Sequence, residues 1–123
     1  MDFKDHIENS IKIIPKILEF TKGTKLIIAM YSNARSTTWY DVTTNHRGKL
    51  LQEFLARNQL HIINEESTRT TFQSSRGTSN IDITITNNQM LADINDWQIL
   101  EVESASDHNI INFTLHSVAW TQK

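Results

Sequence analysis

The chain has 123 residues, of which 38% are hydrophobic and 21% charged, with a formal net charge of −2. That length fits one ordinary domain and excludes two, and the composition excludes disorder and fibrous repeats. With no cysteine, disulfides, zinc thiolates and a Cys nucleophile are excluded together, which fits a reducing, intracellular compartment. No run approaches the roughly 18 apolar residues of a membrane span, and the opening MDFKDHIENS lacks the apolar core of a signal peptide, so no membrane partner is expected. The charge is unevenly spread. Residues 35–80 hold Arg35, Arg47, Lys49, Arg57, Arg69 and Arg76 against four acids, whereas residues 81–116 hold six acids and no Lys or Arg. A mildly basic middle of this kind suits phosphates, in weak and salt-sensitive binding.

Taken in chain order, Ile7, Ile11, Ile14 and Leu18 recur at helical spacing, with Gly23 as a stop and Pro15 expected to kink or divide the helix. KLIIAM then predicts a strand buried on both faces. After the polar stretch 32–46, Leu50, Leu51, Phe54 and Leu55 predict a second helix ending near Asn58. LHII predicts a second buried strand ending at Asn64, TTFQS an extended segment, and SSRGTSN a loop built on Gly77. IDITIT alternates Ile81, Ile83 and Ile85 with Asp82, Thr84 and Thr86, which directs Asp82 away from the isoleucine face. NNQMLADI reads as a short helical turn. DWQILEVE, with Trp97 in the core, and NIINFTLH read as the last strands, separated by the polar SASDH. Connections too short for helices in the second half predict an antiparallel or mixed sheet layered on two helices, with one sheet face left uncovered. The charges of residues 1–10 read as a solvated helix face. Trp39 suits either stacking on a base or packing at the sheet edge.

Two segments could carry chemistry. A carboxylate such as Asp82, hydrogen-bonded to one nitrogen of an imidazole such as His108, fixes its tautomer and leaves the other nitrogen for a proton or a phosphate oxygen. Asp107 beside it offers oxygen to a hard divalent cation.

The order of features sharpens this: an apolar strand, then SNAR, NHRGKLLQEFL, LHIIN, TF, SNIDITIT and SASDHNIINFTL. The series, from about Leu26 to Leu115, resembles the endonuclease/exonuclease/phosphatase superfamily of DNase-I-like and apurinic-site endonucleases. It is most similar to the endonuclease domain of non-LTR retrotransposons. The resemblance implies an α/β (α+β) fold, the C-terminal half of a DNase-I-like four-layer α/β sandwich with one mixed sheet and about two main helices. Residues 1–123 then form a single partial domain: a leading helix over 1–24, the motif-bearing sheet and helix over 25–116, and a tail over 117–123.

The activity the resemblance implies is Mg2+- or Mn2+-dependent nicking of DNA, in a chain that works where chromosomal DNA is, the nucleus. Asn33 matches the Asn that contacts the scissile phosphate, Asp82 the carboxylate that orients the catalytic histidine, and His108 that histidine. Asp107 matches the acid close to the metal and its water. Arg35, Arg47 and Arg76 are the candidate nucleic-acid contacts, and the segment from Gln73 to Asn80 corresponds to a hairpin laid against DNA. Two departures are expected to impair the activity. Tyr31 stands where the family pattern has the aspartate that activates water, and no carboxylate here, Glu8 and Glu19 included, matches the metal-binding glutamate of the family's first half. The alternative expectation is an inactive remnant that acts as a nucleic-acid-binding or protein-interaction module and self-associates through the uncovered sheet face.

Overall fold

The computed structural model describes residues 3–116, with side chains from residue 11 onward. In chain order it holds α1 (Phe3–Phe20), β1 (Ile27–Tyr31), a 3-10 turn (Thr37–Trp39), α2 (His46–Arg57), β2 (His61–Ile62), β3 (Phe72–Ser74), β4 (Gly77–Ser79), β5 (Asp82–Thr86), α3 (Asn88–Leu91), β6 (Ile94–Ile99) and β7 (Ile111–Leu115). The charged face expected over residues 1–10, the side chains of Ile7 and Glu8, and the tail 117–123 lie outside the described residues.

Strand β5 runs between β1 and β2 and is antiparallel to both. It follows that β1 and β2 run parallel to each other, joined by the crossover through α2, with β5 inserted between them. The other strands form two antiparallel pairs, β3 with β4 and β6 with β7. The α/β class therefore holds. The single mixed sheet expected from the sequence is replaced, among the described residues, by three small antiparallel sheets, in the first of which β5 separates the parallel pair β1 and β2.

Helix α1 is not divided at Pro15. Proline removes one backbone donor there, but Ile14 is buried and Ile11 and Leu18 pack on the core on either side of it, so tertiary packing holds the helix together. The isoleucine face of β5 lies against the helices, where Ile83 and Ile85 join Ile14, Leu51, Phe54 and Leu55. Trp39 belongs to this core. It is fully buried, and its indole donates to the Ala34 carbonyl at 3.1 Å, so it is not available to stack on a base.

The opposite face of β5 is covered in part by the last two strands. Trp97 is buried there as expected, and its indole donates to Thr84 Oγ1 at 3.0 Å. Thr84 and Thr86 are consequently buried. Strand β1 is not buried on both faces: Ala29 and Tyr31 are exposed and share an open cavity with Ile111 and Phe113 of β7. Strand β6 bulges between Asn95 and Gln98, where Asp96 takes a positive φ of 58°.

Strand β2 is shorter than expected for a local reason. Ile63 N still donates to Thr84 O at 2.9 Å, after which the Asn64 side chain continues the ladder: Oδ1 accepts from Thr84 N at 2.8 Å and Nδ2 donates to Asp82 O at 3.0 Å. A carboxamide offers the same donor and acceptor as a peptide group. The segment read as a Gly77 loop is the return strand of the β3–β4 hairpin, whose turn is Ser75–Arg76.

Candidate active site

Asp82 opens β5, and the alternation that buries Ile81 and Ile83 sends its carboxylate to the other side. His108 Nδ1 lies 3.0 and 2.9 Å from the two Asp82 oxygens. The pair is partly shielded, with side-chain exposures of 39% for His108 and 18% for Asp82. A carboxylate facing Nδ1 places the imidazole proton there and leaves Nε2 for another partner.

Residues 26 positions apart need a scaffold to meet, and Thr71 supplies it. This fully buried threonine accepts at Oγ1 from Ile81 N and Asp82 N at 3.1 and 3.2 Å, while its carbonyl accepts from Asn109 N at 2.8 Å. Phe72 is bridged to His108 and lays its ring 5.0 Å from the imidazole. Gln73 N donates to Asp107 O at 2.8 Å. Within the SASDH turn, Ser106 Oγ accepts from His108 N at 3.0 Å and Ser104 Oγ donates to His108 O at 2.6 Å. Thr71 and Phe72 stand in the sequence as the TF of the motif series, but nothing local announced that they join Asp82 to His108.

Tyr31 is the cross-strand partner of Asp82 in the β1–β5 register, and its ring meets the imidazole edge to face at 4.8 Å. Tyr31, Asp82 and His108 share a cavity of about 290 Å3 with Ala29, Thr84 and Phe113. Asn33 follows two residues on, at a positive φ of 55° that asparagine tolerates better than most residues. No hydrogen bond joins its side chain to Asp82 or His108 among the described residues. Arg47 Nη1 donates to the Asn33 carbonyl at 3.5 Å.

The SNAR loop is seated on the start of α2. Asn45 Oδ1 accepts from Arg35 N at 3.2 Å and Gly48 N at 2.8 Å, and Asn45 N donates to Arg35 O at 3.0 Å. A Cβ on Gly48 would stand 1.7 Å from Arg35 O, so glycine is required by the closeness of the two backbones. Arg35 Nη2 donates to Thr78 O at 3.0 Å, and Arg76 is exposed at the hairpin tip.

Asp107 is not gathered with His108. It is exposed and lines a neighbouring cavity of about 670 Å3 with Arg69, Gln73, Glu101 and Glu103. Both Asp82 oxygens face the imidazole, and no group of three or more His, Asp or Glu side chains suited to a metal ion is present among the described residues. Magnesium takes six ligands in near-ideal octahedral geometry, and the donors described here do not complete such a site.

A family model described as endonuclease-reverse transcriptase matches residues 3–112. The 115 kDa protein in type-1 retrotransposable element R1DM of Drosophila melanogaster is 31% identical over 119 residues, 89% of this chain and 12% of that protein. The retrovirus-related Pol polyprotein from type-1 retrotransposable element R1 of Bradysia coprophila is 31% identical over 97 residues, 72% of this chain and 10% of the polyprotein. Among solved structures, the endonuclease domain of TRAS1, a telomere-specific non-LTR retrotransposon, superposes with a TM-score of 0.84 at 30% identity, covering 94% of this chain and 54% of that one. The chain thus spans about a tenth of these curated relatives and about half of the solved domain. No helix among the described residues is long and apolar enough to cross a membrane. With its motifs in order, its histidine and carboxylate joined, and a family match over nearly its whole length, the chain belongs to the endonuclease-reverse transcriptase family, among the endonuclease domains of non-LTR retrotransposons.

Proposed function

We propose that this chain carries the histidine side of a DNA-nicking site, and that Tyr31 severely slows the cleavage. The observation that carries the reading is His108 Nδ1 within 3.0 Å of both Asp82 oxygens. Asp82 orients His108, so that Nε2 faces a non-bridging phosphate oxygen as charge builds in an in-line displacement. Asn33, two residues past Tyr31, serves as a neutral donor to the same phosphate. Arg47 and Arg76 contact the flanking backbone, which positions the duplex without reading its sequence. Family likeness supports a divalent cation beside Asp107. The donors among the described residues do not complete its site. Such a chain acts on chromosomal DNA, in the nucleus.

Tyr31 takes the place where the family pattern has an aspartate. A phenol holds its proton in neutral water and is a poor general base beside a carboxylate. Nicking of a supercoiled plasmid with magnesium, comparing the chain with Tyr31→Asp and His108→Ala, tests the reading. We expect slow nicking by the chain, at least tenfold faster nicking by Tyr31→Asp, and none by His108→Ala, with general acid-base groups contributing roughly 100-fold or more. Equal nicking by the chain and His108→Ala would overturn it.

A second reading, a non-catalytic module, is favoured by the outer sheet face, where Tyr31 and Leu115 are 49% and 52% exposed and Ile111 and Phe113 are only partly covered. Apolar surface of this kind marks an interface. In this reading two copies pair through the face. Sedimentation at increasing concentration would then show a dimer that Leu115→Lys dissolves, and a monomer throughout excludes it.

A further inference from the structure

The hairpin that carries Arg76 is not held by its own strands alone. Its strands pair over three residues each, and an isolated two-stranded hairpin is at best marginally stable. Two groups from the segment after β1 meet its base. Arg35 Nη2 donates to the Thr78 carbonyl at 3.0 Å, while Arg35 Nε lies 3.7 Å from Asp41 Oδ2. The same Asp41 oxygen accepts from Asn80 N at 3.0 Å, and its other oxygen accepts from Val42 N at 2.8 Å. Asp41 is buried, with 2% of its side chain exposed. Asn80 completes the joint: Nδ2 donates to Tyr40 O at 2.9 Å and Oδ1 accepts from Thr71 N at 2.9 Å. Through Thr71 this network runs on to Asp82 and Asn109, beside the imidazole.

The arrangement does not suit Arg35 to phosphate. The guanidinium is tied at Nη2 to the hairpin carbonyl and lies beside a buried carboxylate, and the Asp41 charge opposes any approaching anion. We propose that Arg35 and Asp41 are positioning residues: together they brace the base of the β3–β4 hairpin and fix where Arg76 stands relative to His108. The inference rests on the reading of that hairpin as the part that faces DNA.

Arg35→Gln and Asp41→Asn test it, each folded chain being measured in two ways. Amide hydrogen exchange over residues 76–80 should quicken by about tenfold in both variants, the usual consequence of losing a hydrogen bond to a charged group, while the amides of Ile83 and Ile85 stay unchanged. Affinity for a short fluorescent DNA duplex, read by anisotropy at low salt, should fall by roughly fivefold in both, as expected when a residue acts on binding without touching the ligand. The double variant should bind no worse than the weaker single one. The sign for Asp41→Asn is decisive, because an Arg35 that touched phosphate directly would bind DNA more tightly once the neighbouring negative charge was gone. Tighter binding by Asp41→Asn, or unchanged exchange in the hairpin, overturns the brace. Faster exchange with unchanged affinity upholds the brace and removes the hairpin from DNA contact, and the exchange result stands even if the chain does not bind DNA.

Discussion

The two faces of β5 differ in purpose although they are built from alternate residues of one five-residue strand. Ile83 and Ile85 face the helices inside a continuous apolar core. Asp82 and Thr84 face the other way, toward the His108 ring and the Trp97 indole. The first face is stabilised by removing carbon from water, a non-directional effect that tolerates small shifts. The second depends on directed hydrogen bonds between groups far apart in sequence, and it stays partly open, with Tyr31 about half exposed beside it. A site needs that opening, and the isoleucine face lets the fold supply it.

Substitutions on the two faces should separate these roles. The largest expected effect is on the helix side: Ile83→Ala removes a side chain that is 1% exposed and should cost about 3 kcal/mol of stability in urea unfolding, within the range for truncation in a packed core. On the site side, Trp97→Phe keeps an aromatic side chain but gives up part of the indole's buried volume and leaves Thr84 Oγ1 without its donor. A loss of about 1–2 kcal/mol is expected from the hydrogen bond and the lost volume together, with exchange at the helix-side amides of α2 unchanged. If Trp97→Phe cost as much as Ile83→Ala, the threonine face would have to be counted as core, and the contrast between the faces would fail.

Much of the site was legible before the fold was known. The alternation in IDITIT placed Asp82 on the face opposite the isoleucines, and the series of motifs paired it with His108, which the geometry joins. Asp107 was less accessible to such reasoning. Asp107 lies in the bend that precedes His108, and the two line different cavities, a direction that a tripeptide motif does not reveal. Trp97 was recognised as buried, but its place across the sheet from the main core depends on how the β6–β7 pair folds back. The return strand Gly77–Ser79 has little strand propensity apart from Thr78 and is extended by its pairing with β3. Trp39 lies in a polar stretch and gave no periodic signal, yet the α2 crossover encloses it.

The sequence by itself determined the helices of the first half, the two-faced character of β5, and the family, because each of these is written in spacings of two to four residues or in motifs in a fixed order. Only the tertiary structure decided which other distant groups meet: Trp97 with Thr84, Arg35 with Thr78, and Tyr31 with the imidazole it abuts. Those contacts arise when β5 inserts between β1 and β2 and the hairpins close around it. Periodicity fixes the direction in which a side chain leaves the backbone, while its partner depends on chain closure over tens of residues.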